Sequence, residues 1–166
     1  NALAVSTAAN NTALGRSALL VNTTGTANVA VGTLAMDGNV EASYSTAVGM
    51  EALSGVLTGD SNTALGREAL KVATSGGSNT ALGRDALQGL TTGINNVAVG
   101  MDSGDAITLG RYNTAVGHGS LSTEIDGDFS VAVGFGTLAT QESDVENQAV
   151  FNTAVGSYAG NGLTTG

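Results

Sequence analysis

The sequence predicts an all-β fold: a parallel β-solenoid (β-roll) of 17-residue repeats, about nine coils long, filling residues 1–166 as a single domain. Three observations carry this. First, the phrase Asn62-Thr63-Ala64-Leu65-Gly66 is rewritten along the chain. It returns as Asn11 to Gly15, Asn28 to Gly32, Ser45 to Gly49, Asn79 to Gly83, Asn96 to Gly100, Asn113 to Gly117, Ser130 to Gly134 and Asn152 to Gly156. Second, the closing glycines Gly15, Gly32, Gly49, Gly66, Gly83, Gly100, Gly117 and Gly134 follow one another at 17-residue steps. Gly156 comes 22 residues after the last of these, which places a five-residue insertion near positions 142–150. Third, a 17-residue unit with two recurrent glycines has no room for the helix pairs of repeats of roughly 33–47 residues. Two strands of about five residues and two turns would fill it.

Within one unit the motif alternates. Its Thr/Val and Leu/Val positions share one strand face, and Ala and Gly share the other. Stacking the coils makes each position a column, with a rise of about 4.8 Å per coil and a rod on the order of 40–45 Å long. The Leu/Val column and a second apolar pair form the expected thin core. That pair runs Ala18-Leu19, Ala35-Met36, Ala52-Leu53, Ala69-Leu70 and Ala86-Leu87, and more weakly Ser120-Leu121 and Thr137-Leu138. The turn between the two apolar segments carries variable, often charged residues such as Arg67-Glu68 and Arg84-Asp85. Ten residues after each motif glycine stands another, Gly25, Gly59, Gly76, Gly93, Gly110 and Gly127, with Ala42 as the exception. A glycine column there is expected to mark positive φ. The Asn column, including Asn62, Asn79 and Asn113, becomes a ladder of amides bonded to one another and to turn backbone. The Ala/Gly face is left bare of large side chains, so burial against further copies of the chain is expected.

Composition narrows the partners. The chain has 25 glycines, no proline, no cysteine and no tryptophan, and only 11% of its residues are charged. Gly-rich, weakly charged chains can be disordered, but periodic glycines indicate ordered turns. A net charge of -9, against the five cations Arg16, Arg67, Lys71, Arg84 and Arg111, disfavours nucleic acid and anionic membranes. No apolar run approaches the roughly 18 residues of a membrane span, and no signal peptide is visible. Without cysteine there is no disulfide framework. The closing phrase Thr164-Thr165-Gly166 matches Thr91-Thr92-Gly93, as expected of a segment from something longer. Its last residues could lead into Asn1-Ala2-Leu3-Ala4-Val5 of another copy, which gives a self-assembling filament or spacer as an alternative role.

The motif, in forms such as Asn-Thr-Ala-Leu-Gly and Asn-Val-Ala-Val-Gly, resembles the head repeats of YadA-type trimeric autotransporter adhesins. It is also similar to repeats in phage tail fibres and bacterial surface proteins. The likeness runs from Asn11 to Gly156. It implies a left-handed β-roll, a homotrimer, and exposure outside the cell or on a virion, with host surface or extracellular matrix as the bound partner. The family's repeat is a few residues shorter, so longer outer turns are expected here. Its binding residues form no fixed motif, so none is carried over.

Catalysis is not expected, and neither is a cofactor. His118 is the single histidine and occupies a column shared with Arg16, Thr33, Met50, Arg67, Arg84, Met101, Phe135 and Ser157, an exposed turn position. Gly117-His118-Gly119 and Gly134-Phe135-Gly136 lack the third glycine and strand-to-helix setting of a dinucleotide loop. Glu124, Asp126 and Asp128 are the metal candidates, for calcium, against the plainer reading of solvated turn charges. Glu142, Asp144 and Glu146, at the insertion, are the local candidates for a specific contact. Tyr44, Tyr112 and Phe129 share the position before the motif and could form an aromatic patch on one edge. A rival of another class is ice binding by the Thr column, Thr12, Thr46, Thr63, Thr80, Thr114 and Thr153. That column is interrupted by Val29, Val97 and Val131 and is expected to face inward.

Overall fold

The computed structural model describes residues 8–143 and 149–164. Their backbone forms one parallel sheet of nine strands lying side by side in chain order. These are β1 (Thr12–Leu14), β2 (Val29–Val31), β3 (Thr46–Val48), β4 (Thr63–Leu65), β5 (Thr80–Leu82), β6 (Val97–Val99), β7 (Thr114–Val116), β8 (Val131–Val133) and β9 (Thr153–Val155). Register is column on column: Thr63 lies beside Thr80, Ala64 beside Ala81, and Leu65 beside Leu82. The chain is therefore a parallel β-solenoid, and no helix occurs among the described residues. Nine strands bound seven turns of 17 residues and one of 22, so the regular coils number about seven rather than nine.

Each turn holds one strand of three residues, not two of five. The reason is backbone handedness. Between Gly66 and Gly83, Glu68 (φ 58), Leu70 (φ 50) and Ser78 (φ 59) all sit in the left-handed region, and the other turns repeat the pattern. Such residues reverse the chain and cannot continue an extended strand. Each costs roughly 1–2 kcal/mol for an L-residue. Neighbouring coils offset this with backbone bonds outside the strands. Leu53 N–H donates to Ala69 O and Leu70 N–H to Ala86 O, both at 3.0 Å, while Glu68 N–H donates to Met50 O at 2.9 Å.

The sheet is turned over relative to the expectation. Ala30, Ala47, Ala64, Ala81, Ala98 and Ala132 are fully buried, whereas Leu14 and Leu65 are 67% and 45% exposed. The Thr/Val column shares the outward side with the Leu/Val column, as the exposed–buried–exposed pattern of β4 shows. Space inside the coil explains the reversal. Leu19, Met36, Leu53, Leu70, Leu87, Leu121 and Leu138 fill it completely buried, and only a methyl group fits between them and the sheet. Where Gly104 replaces this leucine, Ile107 moves into the gap. A Cβ on Gly104 would stand 3.0 Å from Ile107 Cδ1.

The second glycine column has close approach rather than positive φ as its reason, while the motif column has both. Positive φ belongs to the motif column, for example Gly49 (φ 140) and Gly66 (φ 143). Of the second column, Gly59, Gly76 and Gly93 have no such φ and are small because the next coil is close. A Cβ on Gly59 would lie 2.1 Å from Gly76 O.

Candidate functional site

The described coils stack residue on residue, so the candidate functional surface is built from columns. The buried asparagines hold the sheet in register. Asn62 Oδ1 accepts the Asn79 backbone N–H at 3.0 Å, Asn79 Oδ1 accepts that of Asn96 at 2.9 Å, and Asn96 Oδ1 accepts that of Asn113 at 2.9 Å. Each amide also reaches across the coil, as Asn79 Nδ2 does to Gly93 O at 2.9 Å. The ladder is thus mainly amide to backbone, with longer amide–amide bonds such as Asn79 Nδ2 to Asn62 Oδ1 at 3.2 Å. Asn79→Ala strands a buried N–H and removes a donor from a buried carbonyl, and should cost about 2–4 kcal/mol in urea unfolding. Asn79→Ser should cost less than half as much, because Ser45 Oγ already accepts the Asn62 N–H at 3.1 Å in this column.

Outside this ladder the sheet presents two parallel columns to solvent. Leu65, Leu82 and Val155 in one are 45%, 41% and 69% exposed, and Val97 in the other is 38% exposed. An unbroken apolar strip along a monomer's surface marks an interaction face. Beyond the motif glycine runs a charged ladder. Lys71 Nζ bridges Glu51 at 2.8 Å and Glu68 at 3.0 Å, and Arg84 reaches Asp85 at 2.9 Å and Asp102 at 3.6 Å. Their hydrogen bonds to Lys71 hold its ammonium above the ordinary value, that of Glu51 first. Burial pushes the Asp105 carboxyl upward, and the like charges of Asp102 and Asp85 add to it. The cations of these pairs are a third to a half exposed, so each pair contributes little stability individually.

The metal candidates are otherwise engaged, and two of them are not the solvated charges expected. Glu124 is completely buried and Asp128 is 5% exposed. Glu124 Oε1 accepts from Gly127 N–H at 2.7 Å and Ser143 N–H at 3.1 Å, while Oε2 accepts from Gln141 Nε2 at 2.6 Å. Asp126 accepts from the Thr108 hydroxyl at 2.6 Å and Asp128 from Arg111 N–H at 2.7 Å. Among the described residues, no group of three or more His, Cys, Asp or Glu side chains is placed to hold a metal ion. Glu124 instead anchors the start of the 22-residue turn. Glu142 there is exposed, and Asp144 and Glu146 lie outside the described residues.

The aromatic edge is more extensive than the three residues Tyr44, Tyr112 and Phe129. Tyr112 stacks on Phe129, and Phe129 on Phe151. Tyr44 stands apart, since Ser61, Ser78 and Asn95 occupy the intervening coils. The insertion hides Phe151, because it sits 22 rather than 17 residues after Phe129. On the opposite edge His118 stacks on Phe135, and Phe135 meets Tyr158. His118 Nε2 is 3.6 Å from Asp102, on a side chain 42% exposed. No known family model, curated protein or solved structure matches the chain.

Proposed function

We propose that this chain is a rigid segment of an extracellular fibre on a cell surface or virion, a left-handed β-roll assembled as a homotrimer that displays attachment surfaces to a host or matrix. Its role is structural and adhesive rather than catalytic. The observation that carries this reading is the outward Leu/Val column, which extends over all nine strands, exposed at Leu14, Leu65, Leu82 and Val155 and half-buried at the five valines between. Leucines and valines stacked in file gain most by packing against an equally regular apolar partner, and a second copy supplies one. Stiffness follows from the asparagine ladder, and display in threes multiplies weak contacts. A spacer without a ligand of its own would share the same assembly.

Sedimentation equilibrium tests the reading. At micromolar concentration the expected mass is three times the 16.2 kDa of one chain, and a stable single-chain mass overturns it. Ice binding is the second reading, because the structure turns the Thr column outward, with Thr12, Thr63 and Thr153 exposed. Against it, Val29, Val97 and Val131 interrupt the hydroxyls, and bulky Leu or Val fills the neighbouring column. Thermal hysteresis in the same samples would select ice binding, and its absence together with a trimeric mass selects the fibre.

A further inference from the structure

The outward face has two edges, and over its last three strands both are aromatic. On the edge before the motif, Tyr112 and Phe129 stack at 5.0 Å with their rings 2° from parallel, and Phe129 and Phe151 stack at 5.2 Å and 17°. On the edge after the motif glycine, His118 and Phe135 lie 5.2 Å apart at 26°, and Tyr158 meets Phe135 edge-on at 5.1 Å. The two ladders stand at matching levels. Tyr112 and His118 flank β7, Phe129 and Phe135 flank β8, and Phe151 and Tyr158 flank β9. All three phenylalanines and two of the three tyrosines are concentrated here.

The chemistry of the ladders limits what can cover them. Three of the four ring pairs are stacked and cover one another's faces, and only Phe135–Tyr158 meets edge-on, which leaves no file of open faces for sugars to lie upon. Area points to the partner. The three-residue strands alone offer a face roughly 10 Å wide and 40 Å long, about 400 Å². A stable interface needs about 800 Å² from each partner. Adding the two edge columns roughly doubles the width, to about 800 Å² that one copy commits to its two neighbours in a ring together, and without the edges each contact would keep only about 200 Å² a side. The edges are therefore part of the contact if the face is.

We propose that the aromatic ladders form a seam between copies of this chain: the Tyr112–Phe129–Phe151 edge of one copy packs on the His118–Phe135–Tyr158 edge of the next, at the same level, around a closed ring. The seam rests on the reading that the outward face associates, and adds which edges meet and in which direction. Each copy offers two different edges, so the contact is heterologous and closes cyclically. Chains running in parallel without axial offset bring the two ladders together. An antiparallel pair would set the rings beside β8 and β9 against Ala27 and Thr33 beside β2 and Asn10 and Arg16 beside β1, none of which is aromatic.

The absence of cysteine makes the test direct. Phe129→Cys and Phe135→Cys are prepared separately, refolded together and treated with a short bismaleimide. Phe129 and Phe135 are 41% and 45% exposed, so the coil tolerates both changes. The expected result is a covalent pair joining residue 129 to residue 135 in the mixture, at least tenfold above either variant alone. Ser61→Cys mixed with Phe135→Cys, four strands apart in level, should stay at background. Self-linking of either single variant at the mixture's yield, or a 61–135 link, overturns the seam. An unlinked mixture that still sediments as an oligomer overturns the seam alone. A monomeric unsubstituted chain overturns the association reading together with it.

Discussion

Gly66→Ala should lower the unfolding free energy by about 3–5 kcal/mol, the sum expected for a strained φ and a forced overlap in a packed interior. Gly66 has φ 143, a conformation that a Cβ penalises, and the added Cβ would stand 2.3 Å from Gly83 O and 2.6 Å from its carbonyl carbon. Both contacts are backbone, and that backbone pairs onward to the next coil, so relief at one level must be transmitted to its neighbours. Gly119→Asp is the internal control. Gly119 has φ 63 with nothing within 4 Å of its would-be Cβ. Equivalent positions already carry Ser17 (φ 60), Glu51 (φ 57), Glu68 (φ 58) and Asp85 (φ 59). A change within about 1 kcal/mol is expected there. Urea midpoints for the two variants check the contrast. Equal losses would show that glycine itself, rather than the closeness of the next coil, sets the requirement.

The second large effect concerns assembly. If the chain assembles as proposed, Leu65→Asp with Leu82→Asp should convert the trimer to single chains while the far-ultraviolet circular dichroism of the coil persists. Both leucines are more than two-fifths exposed in the isolated chain, so a carboxylate there stays hydrated and the solenoid keeps its core. In an assembled face the same carboxylates would be buried without partners, at about 3–5 kcal/mol each, repeated in every copy. Sedimentation at matched concentrations reads the outcome. A double variant that remains trimeric would place the contact elsewhere on the rod.

What sequence reading could reach depended on whether a property repeats. The period is a one-dimensional signal, and in-register stacking follows because only that arrangement lets identical segments pair with one another. The asparagine ladder and the Leu19-to-Leu138 core follow from the same logic, and the structure has both. The aromatic ladders were half visible. Tyr112 and Phe129 stand one period apart, but Phe151 is displaced by the insertion and Tyr158 sits one position further from its glycine than Phe135 does. Glu124 gave no sign of burial, because its hydrogen bonds come from Gln141 and Ser143 of the next coil.

The amino-acid order alone thus determined a stacked coil of 17-residue turns, its glycine and asparagine columns, and its leucine core. Which side of the strand faces in was decided only by the folded coil. Alternation assigns residues to two faces without ranking them, and both a methyl column and a leucine column are apolar enough to be buried. The ranking comes from volume: three left-handed residues in each turn draw the coil tight, Leu70 and its equivalents fill the inside, and only Ala64 and its equivalents fit beneath the sheet. The larger Leu65 column is therefore outside.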